Sequence, residues 1–166
     1  MKILKNILLL PITLIKTIKN GIENLFLSKY LKQFSINKID AISGYEFEKY
    51  LECLFKSMGL KTTTTKKAHD YGADLITTYK KEVMVVQAKL YYCKHVGLSA
   101  IQEAKTSLDY YKADKAIVIT NSYFTKSAIN LAKSTGVALI DREKLNTLIN
   151  ANKTEKKALF RKYIAI

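Results

Sequence analysis

The chain has 166 residues, enough for one domain with a real core plus an appendage. At 48% hydrophobic and 25% charged residues it is no disordered chain, and 28 Lys+Arg against 14 Asp+Glu leave a formal charge of +14. That surplus suits a polyanion, nucleic acid or an anionic membrane surface, or else reflects only a Lys-rich solvated surface.

Residues 1–40 read as a basic amphipathic extension. Leu4, Leu8, Ile15, Ile18, Ile22 and Leu25 recur at roughly helical spacing, with Lys2, Lys5, Lys16, Lys19 and Lys29 between them. The uncharged run from Asn6 to Ile15 is far shorter than the ~20 apolar residues that span a bilayer. A helix lying on a membrane, docking on a partner protein or packing on its own domain is expected, with Pro11 dividing or kinking it.

From residue 43 the rhythm changes. Ser43 and Glu46 form a capping-box pattern, and Phe47, Tyr50, Leu51, Leu54, Phe55 and Met58 give the helix one apolar face before Gly59 stops it. Cys53, on that helix, and Cys93 are the only cysteines. With His69 and His95 at the wrong spacing they make no zinc site, and with no disulfide framework or secretory cleavage pattern a reducing cytoplasm is expected.

"LKTTTTK", "GADLITTY" and "EVMVVQAKL" read as strands. A helix from about Leu98 to Tyr111 follows, with Ser99 as its expected cap. Then come "KAIVIT" (strand), "TKSAINLAKST" (helix), "VALID" (strand) and "REKLNTLIN" (helix). This order predicts an α/β domain over 43–150, a mixed β-sheet flanked by helices. Residues 151–166 read as a basic tail or a terminal helix.

The third strand poses the chemical question. Strand side chains alternate, so Gln87 and Lys89 share one face while Val86, Ala88 and Leu90 share the other. If the two preceding strands turn at Lys80 and Lys81, Tyr79 faces Glu82 and Asp74 faces Gln87. A buried ammonium without a partner is costly, so an anion should lie opposite, and Asp74 is the expected one, as part of a polar site or as a structural ion pair.

The segments "GYEFEKYLECLFKSMGL", "DYGADLI", "VVQAKLY" and "AIVITNSYFTKSAINLAKSTGVALIDREKL", in that order, resemble the Mrr-type catalytic domain of the PD-(D/E)xK restriction-endonuclease superfamily over about residues 43–150. The resemblance implies a restriction-endonuclease-like fold and a Mg2+- or Mn2+-dependent endonuclease hydrolysing DNA phosphodiester bonds. It makes Asp74 the acidic strand residue, puts Gln87 and Lys89 at the D/E-x-K positions, and matches Glu48 to the family's first-helix acid. Asp74, Gln87 and the Ala88 carbonyl would supply oxygen ligands suited to a hard cation. Gln87 departs from the superfamily acid, though Gln is common in the Mrr-type branch, and it removes one negative charge from the metal shell.

Lys66, Lys67, Lys94, Lys105 and Lys126 flank this site in the sequence and are expected to touch DNA phosphates, with little direct base readout because Arg142 and Arg161 are the only arginines. Tyr91, Tyr92 and His95 are candidates for stacking on DNA or for packing. Asp70 reads as an outer-shell acid at the mouth of the site or as shaping the turn before "YGAD", His69 as loop surface, Gln102 as pointing toward the site or as plain helix surface, and Thr120 and Asn121 as fixing the loop after a strand. A homodimer would supply two cuts. The rival is a non-catalytic DNA-binding module tethered to a membrane or partner through residues 1–40.

Overall fold

The computed structural model describes residues 12–65 and 71–165. The expectations for residues 1–11, including Pro11, and for Lys66, Lys67, His69 and Asp70 therefore lie outside the described residues.

Three helices lead into the sheet: α1 (Ile12–Leu31), the short α2 (Ile36–Ile39) and α3 (Gly44–Ser57). The capping box at the start of α3 is present, with the Ser43 amide donating to Glu46 Oε2 at 2.8 Å and the Ser43 hydroxyl accepting from the Glu46 amide at 3.3 Å. Gly59, at φ 83°, takes the left-handed conformation that ends the helix. Every apolar position predicted on α3 is buried.

The sheet order is β1-β2-β3-β4-β5, built from β1 (Lys61–Thr64), β2 (Leu75–Tyr79), β3 (Glu82–Lys89), β4 (Lys115–Thr120) and β5 (Val137–Ile140). The first three strands are antiparallel, and β3, β4 and β5 run parallel, joined by α4 (Leu98–Tyr110) and α5 (Lys126–Thr135) as crossovers. The predicted hairpin register is present, with Tyr79 opposite Glu82 and Leu75 opposite Val86. Lys80 accepts φ 56° to close this turn, a conformation in which only glycine avoids strain.

Helices cover both faces. On one, α3, α6 (Arg142–Asn150) and α7 (Lys153–Tyr163) pack Leu54, Leu148 and Phe160 against Met84, Val86 and Ile117. On the other, α4 and α5 set Ala100, Ile101, Ala104, Ala128 and Ala132 against Val85, Val118 and Val137. The alanines on α4 and α5 keep those helices close to the strands. The segment after residue 150 is thus a terminal helix rather than a loose tail, with Phe160 buried and its ring 5.1 Å from that of Phe55.

One expected cap differs. Gly97, not Ser99, is the N-cap of α4, and it makes no side-chain cap bond.

The far end of α1 joins the core through Leu27 and Leu31, which are buried. Others of its apolar residues are not covered: Leu14, Ile18, Ile22, Leu25 and Phe26 form a stripe that is 42–72% exposed. No described helix is long and apolar enough to cross a membrane.

Candidate active site

Asp74 stands just before β2, and its backbone amide donates to the Val86 carbonyl at 2.9 Å, continuing the β2–β3 pairing by one more residue. Its carboxylate then bridges to β3: Oδ2 accepts from Gln87 Nε2 at 2.7 Å and from the Ala88 amide at 2.7 Å. Thr65 secures the same corner from β1's end, its amide donating to the Asp74 carbonyl at 2.9 Å. The Asp74–Gln87 juxtaposition expected from the register is therefore made.

Gln87 is 5% exposed, and with Nε2 committed to Asp74 its Oε1 is buried with no hydrogen-bond partner, the one such side-chain atom among the described residues. An unsatisfied buried acceptor costs about 1–3 kcal/mol. The atom lies on a side chain already bonded to a carboxylate, and carboxylate and amide oxygens are both donor types that suit a hard cation. Among the described residues no group of three or more His, Cys, Asp or Glu side chains comes together. The donors placed here are one carboxylate plus neutral oxygen, a set that fits Mg2+ or Mn2+ retaining much of their water.

Lys89 departs from the expectation. The carboxylate bonded to its ammonium is Glu103 on α4, with Nζ to Oε2 at 2.5 Å, rather than the expected Asp74. Lys89 shares the α4 side of the sheet with Gln87, and α4, which carries Glu103, lies directly against that side. Gly72 makes the approach possible. Its φ is 88°, and a Cβ there would sit 2.5 Å from the Glu103 carbonyl oxygen and 2.8 Å from its carbonyl carbon. Glu103 was not singled out from the sequence. The available signal was a carboxylate at the edge of the buried stripe Ala100, Ile101, Ala104 and Ser107.

Glu48 is half-buried in α3, the helix covering the opposite, Val86–Ala88 face. The start of that helix lies near the end of β3, since the Tyr92 hydroxyl donates to the Ile42 carbonyl at 3.3 Å. Gln102 is exposed, which fits plain helix surface.

The loop after β4 closes this end of the sheet. Asn121 is buried, accepts from the Tyr91 amide at 2.8 Å and donates to the Tyr91 carbonyl at 3.0 Å, while Thr120 Oγ1 accepts from the Ser122 amide at 3.0 Å. Asn121 also donates to Asp40 Oδ1 at 2.8 Å, and Arg142 grips both oxygens of Asp40 at 2.7 and 2.8 Å. The Arg142 hydrogen bonds hold the Asp40 carboxyl below the usual range.

Of the lysines expected to meet phosphate, Lys94 and Lys126 are exposed in the loop after β3 and at the start of α5, and Lys105 forms an i,i+4 pair with Asp109 at 3.4 Å. Tyr92 is exposed, Tyr91 packs at the edge of the α4 side, and the His95 ring lies 6.1 Å from that of Tyr123.

The family model described as a restriction endonuclease, the Mrr catalytic domain, matches residues 39–149. A solved structure, the crystal structure of the protein of unknown function AF1548, superposes with a TM-score of 0.52 at 13% identity, covering 73% of this chain and 96% of that one. A second, the MspJI restriction endonuclease in complex with a 27-mer oligonucleotide, gives a TM-score of 0.48 at 17% identity over 86% of this chain and 36% of that one. No curated protein matches the sequence.

Proposed function

Because the chain belongs to the Mrr-type restriction endonuclease family, we propose that it is a divalent-metal-dependent endodeoxyribonuclease that hydrolyses DNA phosphodiester bonds at Asp74, Gln87 and Lys89. The observation that carries this reading is the buried, unpartnered Oε1 of Gln87 on a side chain already bonded to Asp74. A Mg2+ or Mn2+ ion bound there would neutralise charge on the phosphate and activate water.

Asp74 and Gln87 would hold that ion through carboxylate and amide oxygens, with the Ala88 carbonyl as a third candidate. Asp74 keeps its orientation through the Ala88 amide, so its geometry is set by the strand backbone rather than by a mobile side chain. Lys89, two positions on, orients or deprotonates the attacking water or stabilises charge at phosphorus. Glu48, the family's first-helix acid by resemblance, would assist from α3 by holding a metal-bound water or a second ion. Lys94 and Lys126, both exposed, would meet the phosphate backbone, with Lys66 and Lys67 before Asp74 in the chain as further contacts. One such site cuts one strand, and a homodimer would cut both.

The test is cleavage of duplex, branched and methylated DNA with Mg2+, with Mn2+ and with chelator. Wild type should cut only with metal, and Asp74→Ala and Lys89→Ala should lose on the order of 100- to 10,000-fold while still binding DNA. If wild type and both variants are equally inert on every substrate, a non-catalytic DNA-binding module is the better reading.

The uncovered stripe of α1 favours a tether to an anionic membrane surface. Lys19 lies one turn before Ile22, and Lys29 one turn beyond Leu25 and Phe26, with Glu23 the one acid in α1. A second copy docked on this stripe would set lysine against lysine, whereas anionic lipid headgroups complement it. Vesicles containing phosphatidylglycerol should sediment the protein and pure phosphatidylcholine vesicles should not. Ile22→Asp with Phe26→Asp should abolish the difference, and equal sedimentation of this variant would remove the tether from the proposal.

A further inference from the structure

We infer that Glu103 is a positioning residue for Lys89, an inference that rests on the nuclease reading above. A lysine ends a flexible four-carbon stem whose ammonium can take many positions. Here it is held at 2.5 Å by Glu103, which α4 presents from above the same sheet face.

The position of that carboxylate is itself fixed from two sides. Ile101 and Ala104 bury into the sheet on either side of it in sequence, and Gly72 lies in backbone contact with Glu103. The turn that delivers Asp74 and the helix residue that holds Lys89 are therefore locked to each other. A displacement of one carries the other.

Glu103 also gives the ammonium an anionic partner other than Asp74. Gln87 contributes no charge, so Asp74 supplies the carboxylate of the Asp74–Gln87–Ala88 cluster. An ammonium settling on Asp74 would compete with a cation for that carboxylate. Drawing Lys89 toward α4 keeps the cation's ligand and the phosphate-facing charge apart.

The ion pair is partly solvated, with side-chain exposures of 22% and 38%, so its stabilising contribution is small. Its effect should then be read in the rate and not in the melting temperature. Glu103→Ala, Glu103→Gln and Lys89→Ala are compared with wild type in single-turnover DNA cleavage, DNA binding and thermal melting. Glu103→Ala should slow cleavage on the order of 10- to 100-fold with DNA affinity and Tm unchanged, and Glu103→Gln, which keeps an oxygen acceptor, should recover part of the rate. Wild-type cleavage by Glu103→Ala alongside an inactive Lys89→Ala would overturn the inference, as would a rate loss that only tracks a lowered Tm.

The 1H–15N resonance of the Lys89 ammonium gives a readout that needs no cleavage. It should be ordered in wild type and lost in Glu103→Ala. If no protein in the series cuts DNA, the nuclease reading has failed by itself, and a Lys89 signal unchanged by Glu103→Ala then overturns the positioning as well.

Discussion

At Gln87 an amide stands where the superfamily pattern carries an acid, and the structure shows what this does to the local charge. Asp74 Oδ2 accepts a hydrogen bond from the Gln87 amide nitrogen at 2.7 Å, which a carboxylate at position 87 could not donate. Gln87→Glu should therefore set two carboxylates against each other in metal-free protein, lowering Tm, and Mg2+ should recover that loss because the added charge strengthens its site. Melting curves with chelator and with Mg2+ check this without any cleavage assay. A variant that Mg2+ stabilises no more than wild type would separate position 87 from the metal. The pairing of Asp74 with Gln87 was legible in the sequence because strand alternation and hairpin register depend only on local spacing. Glu103 was not, because its contact with Lys89 depends on how closely a crossover helix approaches the sheet.

That approach is an element-scale property, and it turns on Gly72. The sequence placed β2, β3 and α4 correctly in order, since turn residues and apolar periodicity announce them, but it carried no measure of the distance between helix and sheet. Gly72 combines φ 88° with a would-be Cβ contact of 2.5 Å to backbone, which no side-chain rotation can relieve. Gly72→Ala should cost about 2–4 kcal/mol through backbone strain and helix displacement. For a domain of this size that corresponds to a fall in Tm on the order of 5–15 °C. Under the positioning argument the variant should also lose cleavage activity at temperatures where it remains folded. Unchanged melting would mean that α4 shifts outward freely and that its contact with the Asp74 turn is loose. The α4 cap illustrates the same limit on a smaller scale: Ser99 has the better capping side chain, yet the chain enters the helix at Gly97 because Val96 is pinned to the β4 loop by bonds of 2.8 Å to Tyr123 and 3.0 Å from Thr125.

Across the whole molecule, a carboxylate ties the segment before α3 to the sheet at the C-terminal ends of β4 and β5. The rhythm of the sequence changes near residue 40, yet Ile39 is fully buried and Asp40 joins Arg142 of α6 and Asn121 of the β4 loop. No local pattern announces such a link, because its partners are 81 and 102 residues away. Asp40 has its carboxyl pKa lowered, first by the Arg142 hydrogen bond and also by that from Asn121, against an opposing effect of burial. A carboxylate whose folded pKa lies below its unfolded value of about 3.9 contributes stability that is complete above that value and is lost as pH falls through the folded pKa. Asp40→Asn keeps the shape but removes the charge, so at pH 7 it should destabilise the protein by about 1–3 kcal/mol. As pH falls below about 4 the gap between the two proteins should close, because wild type loses a contribution that the variant never had. Thermal melts of both from pH 7 to pH 3 measure this directly. A gap that stays constant over the whole range would show that Asp40 acts through shape and hydrogen bonding alone, leaving the charge on Arg142 without a role in holding α2 to the sheet.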